Sequence, residues 1–389
     1  MDALTNAILH TGDDGPGHQS RRGATVLVEH GVVVAVVADA EIPERARRRD
    51  LGGARLAPGF IDVQVNGGGG VLFNDDPSPA TLARMAAAHR RFGTTGLLPT
   101  LISDSREKRR AAREAVVTAL AAGVPGILGL HLEGPHLAPA RRGVHDARWL
   151  APPDDDDAAL MAPLARGSLV VTVAPEMVPP ALIERLARTG VRLSAGHSAA
   201  DYGESLAAVA AGITGFTHLF NGMPPMTSRA PGIAGAALDD AESWCGLIAD
   251  GHHLHDATLR LAWRAKRRGR VFLVTDAMPP VGAAGTSFTL GDEAITVAGG
   301  RCVTADGRLA GSALDMAAAV RHCVERVGIA LDEALRMASG YPAAFLGLDG
   351  HYGRIAPGYA ADFFVLDAAL RVRETFIAGW PNESGDGTT

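Results

Sequence analysis

Four polar side chains stand where apolar runs of this chain stop. Glu133 closes GILGLHLE, His197 follows VRLSAG, His218 follows ITGFT, and Asp276 follows VFLVT. An ionised glutamate at the end of a buried strand is costly unless a cation or hydrogen-bond donors meet it. A divalent cation of the zinc kind takes imidazole nitrogen and carboxylate oxygen, and a catalytic site leaves one position for water. Glu133, His197 and His218 would supply three such ligands. Asp276 would then serve as general base and acid, because a cation lowers the pKa of a bound water toward about 7 and a neighbouring carboxylate can take its proton. The same carboxyl can hand that proton to a departing amine. Taken singly, each ligand reads more simply as a core histidine bonded to backbone or a helix-capping glutamate, and Asp276 admits a structural role. Together, at four strand exits, they favour a metal at the mouth of a barrel.

Bringing four strand ends to one place calls for parallel strands alternating with helices. PGFIDVQV, TTGLLPT, GILGLHLEG, SLVVTVAPE, VRLSAGHS, TGFTHLFN, CGLIADG and VFLVTDAM read as eight strands, with helical stretches at 80–92, 106–122, 180–189 and 199–211 among them. Eight such units argue for an α/β fold of the closed (β/α)8, TIM-like barrel kind over an open doubly wound sheet. Residues 1–57 and 346–389 each hold too few strands for a stable sheet, so they are expected to combine into one small β-sandwich domain. The barrel then spans 58–345, with a glycine-rich β-hairpin insertion at about 281–309. The acidic run after Pro152 reads as the opening of a helix rather than a cation site. Basic clusters at Arg45–Arg49 and Lys266–Arg270 read as solvated helix ends.

With 389 residues and 47% hydrophobic content, the chain can bury a full core. A net charge of −6 and the lack of basic runs interleaved with aromatics give a nucleic-acid partner little support. No apolar run reaches the roughly 18 residues of a membrane span, and the N-terminus lacks the features of a signal peptide. The three cysteines, Cys245, Cys302 and Cys323, form no CxxC pair and read as buried thiols of a reducing compartment. A soluble, cytoplasmic protein is expected.

The ordered set PGFIDVQVNG, HLEGPH, RRGVH, SAGHS, THLFNGMPP, IADGHH, VTDAM and LAGS resembles the N-acetylglucosamine-6-phosphate deacetylase family of the amidohydrolase superfamily, from about Leu4 to Trp380. The resemblance implies a carbon–nitrogen hydrolase that releases acetate from an N-acetylated amino-sugar phosphate. It makes Glu133, His197 and His218 the metal ligands, Asp276 the acid/base, and His145, after Val144 in RRGVH, the donor to the scissile carbonyl. Asn221, Gly222 and His253 match positions that hold the sugar phosphate; Gly222 stands where alanine is more usual. Leu309, Ala310 and Gly311 match a loop that closes over the ligand. Arg229 matches an arginine that reaches the phosphate from the neighbouring subunit, which implies a homodimer. The superfamily often carries His-x-His at the end of strand one, where this chain has Gln64-Val65-Asn66. Neutral amides are poor ligands beside imidazole, so one divalent ion per subunit is expected, with Gln64 bonding its water or the substrate. Zinc stands first; iron, manganese and cobalt also suit the ligand set. Other readings are the galactosamine 6-phosphate epimer as substrate, another amidohydrolase, or a non-catalytic barrel scaffold. Related hydrolases often carry a carbamylated lysine on strand four, and SLVVTVAPE has none.

Overall fold

The computed structural model describes residues 1–13 and 20–381 of the chain. Its centre is an eight-stranded parallel sheet: β1 (Phe60–Val65), β2 (Thr94–Ile102), β3 (Gly129–Glu133), β4 (Ser168–Val173), β5 (Arg192–Ala195), β6 (Gly215–Phe216), β7 (Trp244–Ile248) and β8 (Val271–Val274). Each strand pairs with its sequence neighbour. The two ends meet through a bridge between Val65 and Ala277 and a hydrogen bond from Asp276 N to Gln64 O at 3.0 Å. The sheet is thereby closed into a barrel.

These runs form such strands because a parallel barrel strand is covered on both faces and needs no polar side. All six residues of FIDVQV are buried, as are five of the six in SLVVTV. Phe60, Leu97 and Phe216 are almost wholly buried, each contributing about 1.5–3 kcal/mol relative to exposure. Several helices between strands begin on side-chain caps. Ser78 Oγ accepts from Thr81 N and Ser105 Oγ from Lys108 N, and Asp201 pairs with Glu204 in a capping box. The acidic run also opens a helix, Asp155–Leu160, capped by Asp154. Asp157 there bonds Arg109 at 2.8 Å.

Beside the barrel lie two further sheets. One joins Asp2–Thr5, Ala24–Glu29, Val32–Ala38 and Arg47–Asp50; the other joins Ile8–Leu9 and Arg55–Pro58 to Phe363–Leu366, Val372–Ile377 and Trp380–Pro381. They share an apolar core including Leu4, Val26, Leu56, Phe363 and Phe376. Both ends of the chain thus build one β-sandwich. Of the stretch expected over 346–389, residues 382–389 lie outside those described.

Two expectations are corrected. The cluster at Arg45–Arg49 is not a helix end: Arg47–Asp50 is an exposed edge strand pairing in parallel with Asp2–Thr5. Charged edges of this sort discourage pairing with other chains. Leu309–Ser312 is likewise a strand rather than a loop. It is the last member of an antiparallel sheet with Ser287–Leu290, Glu293–Ala298 and Arg301–Val303 that hangs over the barrel mouth. Among the described residues no helix is long and apolar enough to cross a membrane.

Candidate metal centre and active site

Glu133 is the last residue of β3. His197, His218 and Asp276 each sit two residues beyond the ends of β5, β6 and β8. All three have left-handed backbones, with φ of 48°, 30° and 51°. That conformation costs a non-glycine residue on the order of 1–3 kcal/mol and persists where surrounding structure enforces it. Here the flanking amides do so: Thr217 N donates to Ala195 O at 2.9 Å, Leu219 N to Gly246 O at 2.9 Å and Asp276 N to Gln64 O at 3.0 Å. The kinked strand ends turn the three side chains toward one point.

At that point Glu133 Oε1 lies 2.9 Å from His218 Nε2 and 3.2 Å from His197 Nε2, and the two imidazole nitrogens are 3.0 Å apart. His197 Nδ1 lies 2.8 Å from Arg141 O, a carbonyl that only accepts, so this nitrogen carries the proton and Nε2 is left with a lone pair. A backbone partner of this kind is what fixes a metal-ligating histidine. Burial raises the Glu133 pKa, but hydrogen bonds and charge from His197 and His218, when these carry protons on Nε2, outweigh it and hold the carboxyl well below its usual range; with Nε2 free, a cation has to supply that charge. Three buried groups from three strands, with ligand atoms within 4.8 Å of one another, fit a divalent ion. His252, His253 and His255 do not converge in this way: His255 Nδ1 accepts from Ala257 N at a helix start, and His252 is exposed.

Asp276 stands across from this cluster, and Gln64 ties the two together. Its Nε2 lies 3.2 Å from both Glu133 Oε1 and Asp276 Oδ1. Gln64 is not among the residues lining the cavity; its amide bridges base and ligand just behind it. Asn66, which sequence reasoning passed over, does line the cavity, and its Nδ2 lies 2.6 Å from Asp276 Oδ1. Burial and then the Glu133 charge push the Asp276 carboxyl up to about 6, against the pull of His218, His253 and Asn66.

His145 faces the same space, with Nε2 4.0 Å from Glu133 Oε2. Its Nδ1 accepts from the Ser103 backbone N–H at 3.2 Å. A backbone amide can only donate, so the His145 proton must sit on Nε2, aimed into the cavity. Burial and then the His197 charge lower its pKa to about 3, leaving a neutral donor at ordinary pH. Ser103 was not foreseen because nothing in ISD marks it as the partner of a histidine forty-two residues away. Asp250, three residues before its partner in IADGHH, was not singled out either. Its Oδ2 lies 2.7 Å from His253 Nδ1, and its Oδ1 accepts the His252 and His253 amides at 2.8 Å.

The cavity has a volume of about 210 Å³. Glu133, Val144, His145, His197, His218, Asn221, Gly222, His253, Asp276, Leu309 and Gly311 all line it. At two positions a side chain would crowd its neighbours. A Cβ at Gly311 (φ 60°) would lie 2.5 Å from Met278 Cγ and 2.8 Å from Asp276 O; one at Gly222 (φ 63°) would lie 2.8 Å from His197 Nδ1. Ala310 does not reach the cavity and packs with Leu72, Met278 and Leu290 behind it. Arg229 also lies off the cavity, on the exposed segment 225–230, with no hydrogen bond or ion pair among the described residues.

Residues 55–388 match the model of the Amidohydrolase family. An N-acetylgalactosamine-6-phosphate deacetylase of Shewanella sp. (strain ANA-3) is 45% identical, over 83% of this chain and 82% of the relative. The crystal structure of N-acetylglucosamine-6-phosphate deacetylase from Pasteurella multocida superposes with a TM-score of 0.93 at 33% identity, covering 98% of this chain and 99% of that one. A mutant of the Mycobacterium smegmatis N-acetyl-D-glucosamine-6-phosphate deacetylase, solved in complex with N-acetyl-D-glucosamine 6-phosphate, gives a TM-score of 0.87 at 33% identity and 98% coverage of both chains.

Proposed function

This chain belongs to the amidohydrolase family, and from that premise we propose that it hydrolyses the acetamide of N-acetyl-D-glucosamine 6-phosphate to D-glucosamine 6-phosphate and acetate. The observation that carries the proposal is the convergence of Glu133, His197 and His218 opposite the buried carboxyl of Asp276. A divalent ion on those three ligands supplies Lewis acidity toward water and the amide carbonyl. One ion per subunit, zinc first among candidates, suits the amides of Gln64 and Asn66 where a second site would need imidazoles.

Asp276 takes the proton of the attacking water and delivers it to the leaving nitrogen, which departs as the amine. Gln64 and Asn66 hold Oδ1 of that carboxylate while the proton moves. His145 Nε2–H donates to the oxygen that gains charge as the carbonyl becomes tetrahedral. Asn221, Gly222 and His253 hold the sugar phosphate on the β6–β7 side, and the partner subunit's Arg229 completes the phosphate site across a homodimer interface. Leu309 and Gly311 cover the ligand from the overhanging sheet. Three unpaired buried cysteines support a cytoplasmic setting.

A second reading takes the C4 epimer, N-acetylgalactosamine 6-phosphate, and is favoured by the 45% identity to the Shewanella deacetylase. Acetate release from both epimers by metal-loaded enzyme tests the proposal. Turnover of the glucosamine compound is the expected result; turnover of the galactosamine compound alone would replace the first reading by the second.

A further inference from the structure

The proposed mechanism leaves one fully buried acid unused. Asp62 lies inside β1, in FIDVQV, and no basic side chain is among the groups that hold it. Burial pushes its pKa up to about 7, with hydrogen bonds from Thr275 and Gln64 pulling the other way. A carboxylate kept dry among neutral donors alone is costly, and such breaches of packing rules gather at functional sites.

Its donors come from the two strands that carry the base and its clamp. Thr275 Oγ1 donates to Asp62 Oδ2 at 2.5 Å, and the amides of Thr275 and Gln64 each donate to Oδ1 at 3.3 Å. Thr275 immediately precedes Asp276, and Gln64 supplies an amide to Asp276 Oδ1. The Thr275 hydroxyl also accepts from Ala277 N at 3.2 Å, a side-chain turn that spans the left-handed backbone of Asp276. That hydroxyl has one proton to give, and the ionised Asp62 accepts it. Asp62 thus fixes the Thr275 side chain that closes the turn over the base.

We propose that Asp62 is a positioning residue for the base, setting through Thr275 and the β1 backbone where the Asp276 carboxylate stands at the scissile amide. It does not line the cavity and acts only through these bonds. The inference rests on Asp276 as the base of the proposed deacetylation. An amide in place of the Asp62 carboxylate can still accept the two backbone N–H groups, but it presents a donor to Thr275 where the carboxylate accepts. The Thr275 hydroxyl then loses its acceptor and the turn over Asp276 loosens. A displacement of about 1 Å at a reacting group can cost on the order of 10²-fold in rate.

The test is kcat, KM, metal content and thermal unfolding of Asp62→Asn, Thr275→Val, Thr275→Ser and the Asp62→Asn/Thr275→Val pair, on the epimer that the wild type turns over. Asp62→Asn and Thr275→Val should each lower kcat by roughly 10- to 100-fold, with KM and metal content near those of the wild type. Thr275→Ser, which keeps the hydroxyl, should retain most of the wild-type kcat. The paired variant should fall no further than the worse single one, because both changes break the same link. Wild-type kcat in folded, metal-loaded Asp62→Asn, whatever its melting temperature, would overturn the inference, as would losses that multiply in the paired variant. If Asp62→Asn does not fold, Thr275→Val against Thr275→Ser decides, and equal kcat in the two would overturn it. No turnover of either epimer by the metal-loaded wild type would instead remove the deacetylase proposal beneath.

Discussion

Asp276 can act as a base only while ionised, and burial beside Glu133 has already raised it to about 6. Activity should therefore be present above that pH and disappear as pH falls through it, with a bound cation drawing the limb to a lower value. A kcat/KM profile measures this limb; an acid limb lying above about 7 would assign it to another group. Asp276→Asn should keep its metal and lose roughly 10²- to 10⁴-fold in kcat. Unchanged turnover would remove Asp276 as the base. Asp250 touches nothing in the cavity itself, but holds the imidazole of His253, which does. Asp250→Asn should raise KM for the phosphorylated substrate by about tenfold while kcat changes little, since one charge-assisted hydrogen bond of about 1.5–3 kcal/mol is weakened. A fall confined to kcat would place His253 at the reacting amide instead.

Among the elements, the barrel strands were legible because a strand buried on both faces reads as a mostly apolar run, and its polar terminus then stands out, as Glu133 does after GLHL. Arg47–Asp50 carried no such sign. All four side chains are exposed and only backbone pairing to Asp2–Thr5 makes it a strand. Asn66 and Ser103 were hidden for a related reason: their partners, Asp276 and His145, come from distant elements that only the closed barrel brings near. The overhanging strand Leu309–Ser312 shows what such closure demands. Ser312 N donates to Asp276 O and Met278 N to Ser312 O, both at 2.9 Å, so the strand fixes the backbone of the base. Gly311→Ala would force a Cβ against Met278 and Asp276 O. It should lower stability by roughly 1–3 kcal/mol and displace Asp276. Thermal unfolding and kcat measured together check this, and an unaffected kcat in a destabilised protein would confine the role of Gly311 to packing.

In the whole molecule, the proposal assigns Arg229, which lies on an exposed segment away from its own cavity, to the site of a partner subunit. Arg229→Ala should raise KM for the phosphorylated sugar and leave turnover of the unphosphorylated sugar nearly unchanged. Mixing Arg229→Ala subunits with Asp276→Asn subunits should recover activity, since a mixed dimer unites an intact base with a partner's arginine. No recovery would put the arginine in its own subunit's site. The deepest commitment is to a single cation on Glu133, His197 and His218. Elemental analysis of the active enzyme and of His197→Ala, after saturation with zinc and removal of excess, tests it most directly. One ion per chain in the first and a loss of most of it in the second is the predicted result; two ions per chain, or full occupancy without His197, would contradict it.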